Sequence, residues 1–212
     1  MKYPNFSEEK KLWKQGYKRV AGTDEAGRGP LAGPVVAAAV MIDPEFKFAL
    51  KDVKDSKKLT FKKREELYSL LTRNPQIEWG AGRVSEGVID KINIFQAARL
   101  AMKRAVMNLE KKLKEKRIDF LILDGRMRVD LEVPQKPIVK GDYKVFSCSA
   151  ASIIAKVTRD RIMLRYDKQY PQYGFLKHKG YGTRLHFEML KKHGSCPIHR
   201  KSFSPVNNFC KR

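Results

Sequence analysis

Residues 17–42 read YKRVAGTDEAGRGPLAGPVVAAAVMI, and two apolar segments in this stretch flank a run rich in glycine and proline. Short apolar runs with such boundaries are typical of buried strands, so we predict strands at 17–23 and 35–42. The Gly/Pro-rich run between them is typical of a turn. The stretch therefore predicts an antiparallel pair of strands at the start of a sheet.

Strands and helices alternate in the prediction for the rest of the chain. Short apolar runs predict strands at 77–85, 119–125 and 137–142. Apolar residues spaced by three and four predict three helices. The first is capped by Thr60, the second runs from Asn93 to about 116, and the third runs from about 146 to 170. This order predicts an α/β fold with a mixed sheet of about five strands flanked by helices.

The length of 212 residues is sufficient to bury one good core, and we expect a single domain over 1–212. We place its core at about 17–170. The less regular residues at about 171–212 are expected to form a small helical or loop cap at the C-terminal end.

The chain has 45 Lys and Arg against 23 Asp and Glu, a formal net charge of +22. Such an excess produces a positive field that attracts polyanions, so we predict nucleic acid as the partner. The alternative is that the basic residues only keep the chain soluble, but solubility needs a net charge of about 2 to 8.

The sequence predicts a cytoplasmic protein. It has no apolar run near the roughly 18 residues that a membrane span requires, and its first 20 residues lack a signal-peptide pattern. The three cysteines form no C-x-x-C pair, which suits a reducing compartment better than a disulfide scaffold.

Four carboxylates lie at the ends of predicted strands. Asp24 and Glu25 follow the first strand, Asp124 ends the fourth, and Asp142 ends the fifth. If these strands are adjacent and parallel, their carboxyl ends bring the acids to one edge of the sheet. Clustered carboxylates repel each other unless a cation holds them, and oxygen ligands suit Mg²⁺ or Mn²⁺. Two such ions about 4 Å apart can drive water into a phosphodiester. The alternative is that these are ordinary turn aspartates.

The segment GTDEAGRG at 22–29 has the glycine spacing of a loop that binds phosphate through backbone N–H groups. It has Arg28 and Gly29 where a nucleoside-triphosphate loop has Lys and Ser or Thr. We therefore interpret its carboxylates as metal ligands, and its glycines as points where the backbone approaches a sugar and a phosphate.

Asp160 lies on the apolar stripe of the last long helix, at helical spacing from Val157 and Leu164. A buried carboxylate requires a partner or a function. The sequence leaves two interpretations open, an ion pair with Arg159 or Arg161 and a supporting role at the metal site.

These motifs, in their order, resemble those of ribonuclease HII, the type 2 ribonuclease H family. The resemblance covers about residues 18 to 206, and so many ordered matches are highly specific. The matching segments are AGTDEAGRGPLAGPVVAAAV, DSKKL, IDKINIFQAARLAM, LILDG, VKGD, SAASIIAKVTRD, HKGYGT and PIHRKSF.

The resemblance implies a ribonuclease H-like fold and an endonuclease that cleaves the RNA strand of RNA–DNA hybrids. It also implies nicking at single ribonucleotides in duplex DNA, on their 5′ side, with two Mg²⁺ or Mn²⁺ ions and a metal-bound water as the nucleophile. The products are a 3′-hydroxyl and a 5′-phosphate. Such an enzyme serves ribonucleotide excision in DNA replication and repair.

The resemblance also assigns roles at the matching positions. The catalytic and metal-binding carboxylates are Asp24, Glu25, Asp124 and Asp142. The residues expected at the ribonucleotide are Gly27, Arg28 and Gly29, which sense the 2′-OH, and Tyr181, which packs on the sugar beside the RNA-to-DNA junction. The candidate phosphate contacts are Ser56, Lys57, Asn93, Ser152 and Lys156. From the residues alone, Tyr181 is an ordinary core or surface aromatic, and lysines and helix-capping asparagines are common.

No sliding-clamp motif of the form Q-x-x-hydrophobic-x-x-aromatic-aromatic is found, and we expect a monomer. Three other classes of protein were considered. A zinc site is suggested by His193, Cys196 and His199 with Cys210 beyond, but this spacing fits no common zinc module. A basic nucleic-acid-binding protein without activity needs no strand-end acids. A junction resolvase of the same fold shares the acids but not the GRG loop and its distant tyrosine.

Overall fold

A five-stranded mixed sheet lies at the centre of the computed structural model, which describes residues 4–46, 59–114 and 116–210. Its strands are β1 (Val20–Ala26), β2 (Val35–Ile42), β3 (Ile77–Val84), β4 (Phe120–Asp124) and β5 (Gln135–Ile138). Their order across the sheet is β3-β2-β1-β4-β5. β2 is antiparallel to β1 and β3, whereas β1, β4 and β5 are parallel to one another. The carboxyl ends of these three parallel strands therefore lie at the same edge.

Helices cover both faces of the sheet. They are α1 (Ser7–Lys14), α2 (Phe61–Arg73), α3 (Glu86–Lys112), α4 (Gly141–Lys144), α5 (Phe146–Gln169), α6 (Phe175–His178) and α7 (Arg184–His193), with 3-10 turns at Pro171–Tyr173 and Val206–Phe209. Alternate residues of β2 face opposite sides: Ala37 and Ala39 pack in the cluster with α3, whereas Ala38 and Val40 pack in the cluster with α2 and α5. The predicted α/β architecture is confirmed.

Glycines allow α3 to lie very close to β3. A Cβ added at Gly82 would lie 2.1 Å from the carbonyl oxygen of Ala101, and one at Gly80 would lie 2.3 Å from that of Ala105. On the opposite face, a Cβ at Gly22 would lie 2.3 Å from Ser147 Oγ at the start of α5. Small residues at these positions thus determine how closely both long helices pack against the sheet.

The amino end of α5 is held by α1. The backbone N–H and the hydroxyl of Ser147 both donate to Glu9 Oε1, at 2.9 and 2.8 Å. Burial raises the pKa of Glu9, which is 1% exposed. A carboxylate is a favourable partner for the unsatisfied N–H groups of a helix start, so α1 fixes the position at which α5 begins.

Most predicted elements agree with the structure, and β2 has the predicted bounds 35–42. Thr60 caps α2 as expected, since its side chain accepts a hydrogen bond from Lys63 N at 3.3 Å. The predicted start of α3 at Asn93 was wrong, because the helix begins at Glu86. Asn93 has a φ of 63° at a kink, where its Oδ1 accepts from the backbone N–H groups of the next turn and caps a second helical segment.

Two predictions about strand ends were also wrong. Asp24 and Glu25 do not follow β1 but lie within it, because its pairing with β2 continues to Ala26. The predicted strand 137–142 ends at Ile138, and Asp142 lies on α4 instead. Lys140 adopts a left-handed conformation with a φ of 59°, which ends the extended backbone before that helix.

Among the described residues, no helix combines the length and the apolar character needed to cross a membrane.

We predict that Gly82→Ala lowers the free energy of unfolding by roughly 2–3 kcal/mol, because the new methyl group overlaps the backbone of α3. Gly87→Ala is the matched control, since a Cβ at Gly87 on α3 has nothing within 4 Å. Alanine favours helix over glycine, so the control should be as stable as the parent or slightly more stable. Urea unfolding followed by circular dichroism measures both. Equal stability of the two variants would contradict the close packing of β3 on α3.

Candidate active site

Three aspartates converge at the carboxyl edge of the sheet. Asp24 comes from β1, Asp124 from the end of β4 and Asp142 from α4, and one carboxylate oxygen of each lies within 4.8 Å of the others. The backbone N–H of Gly141 donates to Asp124 Oδ1 at 2.6 Å and so joins α4 to the end of β4. The parallel pairing of β1 with β4 and this hydrogen bond together produce the cluster.

Burial and mutual repulsion disfavour the charged form of these acids. Asp24 is 5% exposed, and its pKa lies well above the usual range because of burial, then because of the neighbouring charges of Glu25 and Asp124. Hydrogen bonds from the Ser152 hydroxyl and from Glu25 N oppose this increase. The cluster therefore carries electrostatic repulsion that a cation would relieve.

Glu25 lies beside the three aspartates with one oxygen bound and one without a partner. Its Oε1 pairs with Arg28 Nη1 at 3.2 Å. Its Oε2 is buried and has no hydrogen-bond partner among the described residues. Burial raises the pKa of Glu25, and the charge of Arg28 opposes this effect. A buried carboxylate oxygen without a partner is costly, which is consistent with a role as a metal ligand.

The donor set fits a hard divalent cation. Oxygens on opposite sides of one Mg²⁺ lie ~4.2 Å apart, since each is about 2.1 Å from the ion. The aspartate oxygens, within 4.8 Å of one another, need only small movements to meet this geometry. Asp24, Asp124 and Asp142 can therefore hold an ion, and the Oε2 oxygen of Glu25 has no hydrogen-bond partner among the described residues and is available as a further ligand.

Asp24 and Glu25 open into a cleft of about 220 Å³ that also contains most of the other predicted site residues. Its lining consists of Asp24, Glu25, Ala26, Gly27, Arg28, Gly29, Ser152, Lys156 and Tyr181. A Cβ added at Gly29 would lie 3.9 Å from Tyr181 Cε1, so the ring lies beside the GRG loop. The lining of this cleft thus combines three segments that are far apart in the sequence, at 24–29, 152–156 and 181.

Lys156 of α5 lines the cleft and forms an ion pair with Asp160. Lys156 Nζ lies 2.7 Å from Asp160 Oδ1, and Arg64 of α2 lies 3.8 Å from Oδ2. Of the two interpretations of Asp160, the ion pair is present, but its partners are Lys156 and Arg64 and not Arg159 or Arg161. Helix geometry directs Arg161 to Glu65 at 2.6 Å, whereas Arg159 turns towards backbone carbonyls. Burial lowers the pKa of Lys156.

Three of the predicted phosphate contacts either do not line the cleft or lie outside the described residues. Asn93 does not line the cleft, and its Oδ1 is used as a helix cap. Ser56 and Lys57 lie outside the described residues.

Two buried arginines that were not predicted hold the loop at 27–34. Arg200 donates to the carbonyl oxygens of Gly27, Arg28 and Gly33 at 2.5 to 2.9 Å. Arg159 donates to those of Ala32, Pro34 and Lys179 at 3.0 to 3.1 Å. Both are 0% exposed, and burial lowers the pKa of Arg200 to about 9.

The position of Arg159 had a signal in the sequence, because it lies seven residues after Ser152 and so on the same face of the helix. Arg200 had no signal from periodicity, and the only indication was that it lies in PIHRKSF, one of the segments that carry the family resemblance. A Cβ at Gly27, whose φ is 97°, would lie 2.1 Å from Arg159 Nε, so glycine is required there.

Three histidines form a buried group beneath Tyr181 that was also not predicted. His178 and His186 stack at 4.4 Å between ring centroids, and His186 Nε2 lies 2.9 Å from His199 Nε2. Burial lowers the pKa of both His186 and His199 to about 4. The available signal was that all four histidines of the chain fall within residues 178–199.

The residues of the zinc interpretation make other contacts. His199 Nδ1 accepts from the backbone N–H of Cys196 at 2.9 Å, while its other nitrogen faces His186. Cys210 interacts with the hydroxyl of Ser195 at 3.7 Å. Among the described residues, the aspartate cluster is the group with metal-ligand geometry.

Comparison with known proteins gives the same assignment. A family model described as ribonuclease HII matches residues 21–206. A ribonuclease HII from Leuconostoc mesenteroides is 51% identical over 96% of this chain and 77% of that protein. The crystal structure of ribonuclease H2 from Pyrococcus horikoshii has a TM-score of 0.71 at 30% identity, covering 90% of this chain and 96% of that one. Bst ribonuclease HIII, solved with Mn²⁺, has a TM-score of 0.67 at 19% identity, covers 89% of this chain and 68% of that one, and shows the fold alone.

The fold and the acidic cleft define a metal-dependent nuclease with the ribonuclease H-like fold. The chain belongs to the ribonuclease HII family. It is a type 2 ribonuclease H, an endoribonuclease that acts on RNA–DNA hybrids and requires divalent metal ions.

We predict that Asp24→Asn raises the melting temperature in chelator by a few degrees, because it removes one charge from the aspartate cluster. The variant should also lose the stabilisation that Mg²⁺ or Mn²⁺ gives the parent, since a ligand is missing. Scanning calorimetry with and without the ion measures both effects. Asp130→Asn, at a side chain that is 86% exposed, is the control and should respond to the ion as the parent does.

We predict that His186 and His199 lower the free energy of unfolding as the pH falls from about 6.5 to about 4, against the opposite contribution of buried carboxyls such as Asp24, Glu25 and Glu9, whose raised pKa values favour the folded state in acid. The folded-state pKa values of His186 and His199 are about 4, below the usual 6.5, so the unfolded chain binds more protons in this range. The stabilisation is complete above about pH 6.5, and each histidine should account for a loss of roughly 2 kcal/mol at about pH 5.

Urea unfolding at a series of pH values checks this prediction. The double variant His186→Asn/His199→Asn should lose less stability than the parent between about pH 6.5 and pH 4, whereas the exposed control His193→Gln should not differ from the parent. An unchanged slope in the double variant would show that other groups are responsible.

Proposed function

We propose that this chain nicks duplex DNA on the 5′ side of an embedded ribonucleotide, besides cleaving RNA in hybrids, and leaves 3′-hydroxyl and 5′-phosphate ends. The observation that carries the proposal is a single cleft in which Asp24 and Glu25 lie next to the Gly27–Gly29 loop and Tyr181. Such a cleft offers acidic ligands for metal and, directly beside them, a backbone and an aromatic ring for one sugar.

In this proposal, the catalytic residues Asp24, Glu25, Asp124 and Asp142 hold two ions, either Mg²⁺ or Mn²⁺. Bound ions of this kind lower the pKa of water and stabilise the leaving oxygen of a phosphodiester. The chain orients the ligands by hydrogen bonds: Glu25 N donates to Asp24 Oδ1 at 2.7 Å, and Gly141 N donates to Asp124 Oδ1.

Lys156 and Ser152 support the same step in different ways. Lys156, held by Asp160 at 2.7 Å, places a positive charge in the cleft and can bind the phosphate beside the cleaved bond. Ser152 bonds Asp24, so its proposed role is to orient that carboxylate. Ser56, Lys57 and Asn93 remain candidate contacts to more distant phosphates.

The GRG loop and Tyr181 provide selection for RNA. The carbonyl groups of Gly27 and Arg28 point inward to Arg200, so the N–H groups of the same planar peptides, those of Arg28 and Gly29, point away from it. These N–H groups can meet the 2′-OH that distinguishes RNA from DNA. The exposed ring of Tyr181 can pack on the adjacent sugar.

The remaining proposals concern partners and organisation. We infer that the net charge of +22 draws the chain to RNA–DNA hybrids and to duplex DNA that contains ribonucleotides. We also propose that it acts as a cytoplasmic monomer without a clamp-binding motif. The loop at 27–34 bonds to residues near Arg200, which supports one catalytic domain made of core and cap.

The test is incubation with duplex DNA containing one ribonucleotide, in Mg²⁺, in Mn²⁺ and in chelator. We expect a single metal-dependent nick on the 5′ side of the ribonucleotide and none in all-DNA duplex. Asp124→Asn should retain binding and lose most turnover, because its amide oxygen can still accept from Gly141 but bears no charge. Denaturing gels and a binding assay measure these outcomes.

Two results would contradict the proposal. Binding without any nick would favour a nucleic-acid-binding protein without activity on this substrate. Cleavage of four-way DNA junctions in place of the ribonucleotide duplex would favour a resolvase.

A further inference from the structure

A chain of hydrogen bonds connects the backbone of Tyr181 to the segment near Cys196. His186 Nδ1 lies 2.9 Å from the carbonyl oxygen of Tyr181, and His186 Nε2 lies 2.9 Å from His199 Nε2. The backbone N–H of Cys196 meets His199 Nδ1 at 2.9 Å. His186 is 0% exposed and His199 is 1% exposed, so water does not substitute for these partners.

The donors in this chain follow from elementary chemistry. A backbone N–H can only donate, so His199 Nδ1 accepts and its single hydrogen lies on Nε2. His199 Nε2 then donates to His186 Nε2, which leaves the hydrogen of His186 on Nδ1. That nitrogen donates to the carbonyl of Tyr181. Every group is satisfied only when both imidazoles are neutral and in these tautomers.

His178 extends the same group to the turn before Tyr181. Its Nδ1 accepts from Gly180 N at 3.2 Å, and its Nε2 faces the carbonyl of Tyr173 at 2.9 Å. The carbonyl of His178 in turn accepts from Tyr181 N at 2.9 Å. His178 therefore bonds the turn through its side chain at Gly180 N and through its carbonyl at Tyr181 N, while His186 bonds the carbonyl of Tyr181.

The side chain of Tyr181 itself has much less to hold it. It is 44% exposed, and its ring has Arg159 Cζ at 5.8 Å from the centroid and Gly29 beside it. Glycine offers no side chain to pack against. The position of the ring over the cleft is consequently determined by its backbone, whose carbonyl oxygen is bonded by the side chain of His186 and by Thr183 N at 2.8 Å.

We propose that His186 and His199 are positioning residues that set the place of Tyr181 over the cleft, and that they act on substrate selection without contacting the substrate. The proposal rests on the proposed function, in which Tyr181 packs on a sugar beside the ribonucleotide. Neither histidine lines the cleft or touches an aspartate of the cluster, so the hydrolytic step itself does not require them.

The test compares His186→Leu with His186→Asn on duplex DNA that contains one ribonucleotide. Leucine removes the donor to Tyr181, whereas the amide nitrogen of asparagine replaces Nδ1. We expect His186→Leu to raise KM about fivefold with kcat nearly unchanged, since a hydrogen bond that orients Tyr181 is lost, and His186→Asn to restore most of the loss. His193→Gln, on the exposed end of α7, is the control and should match the parent.

A double-mutant cycle separates positioning from general destabilisation. If His186 acts through Tyr181, the KM of Tyr181→Ala should not rise further when His186→Leu is added. Additive effects would overturn the proposal, as would equal losses in His186→Leu and His186→Asn. The folded fraction from circular dichroism normalises all rates, and if His186→Leu does not fold, His199→Leu takes its place in the cycle.

The outcome also distinguishes this inference from the proposed function. If the parent makes no nick at the ribonucleotide, the proposed function fails. If the parent nicks there and Tyr181→Ala raises KM but the cycle is additive, only the positioning role of the histidines fails.

Discussion

Electrostatic repulsion between the clustered, largely buried aspartates is the main constraint on this structure. Asp24, Asp124 and Asp142 bring oxygens within 4.8 Å of one another, and Asp24 is 5% exposed. In the folded chain this repulsion is offset by short hydrogen bonds from Gly141 N, Glu25 N and Ser152. Such a cluster lowers stability in exchange for affinity for a divalent cation, which is a common relation at functional sites.

Around the acids, buried arginine and histidine side chains donate hydrogen bonds to the backbone of the segments that line the cleft. Arg159 and Arg200 donate to carbonyl oxygens of the loop at 27–34, and His186 donates to the carbonyl of Tyr181. These groups lie behind the cleft, where burial makes an unpaired polar atom costly and therefore makes each bond specific. The GRG loop and the backbone of Tyr181 are consequently held in place by buried partners, although their own side chains are small or exposed.

The elements that the sequence predicted well are those with local causes. β2 shows a continuous apolar run because helices cover both its faces, and Thr60 caps α2 because a hydroxyl satisfies a free N–H group. The errors arose where a local pattern was ambiguous. Asn93 does cap a helical segment, but it is the second one, and Lys140 ends β5 through a left-handed backbone that its residue type does not announce.

The sequence by itself determined the alternation of strands and helices, the net basic charge and the four candidate acids, because periodicity and composition are properties of neighbouring residues, whereas the placement of three of these acids at strand ends was wrong. The ordered motifs also determined the family. Only the tertiary structure decided that Lys156 and Arg64 are the partners of Asp160, and that Arg200 and three histidines support the GRG loop and Tyr181. These contacts join segments far apart in the chain, where no spacing rule applies and the packing of the whole fold determines which groups meet.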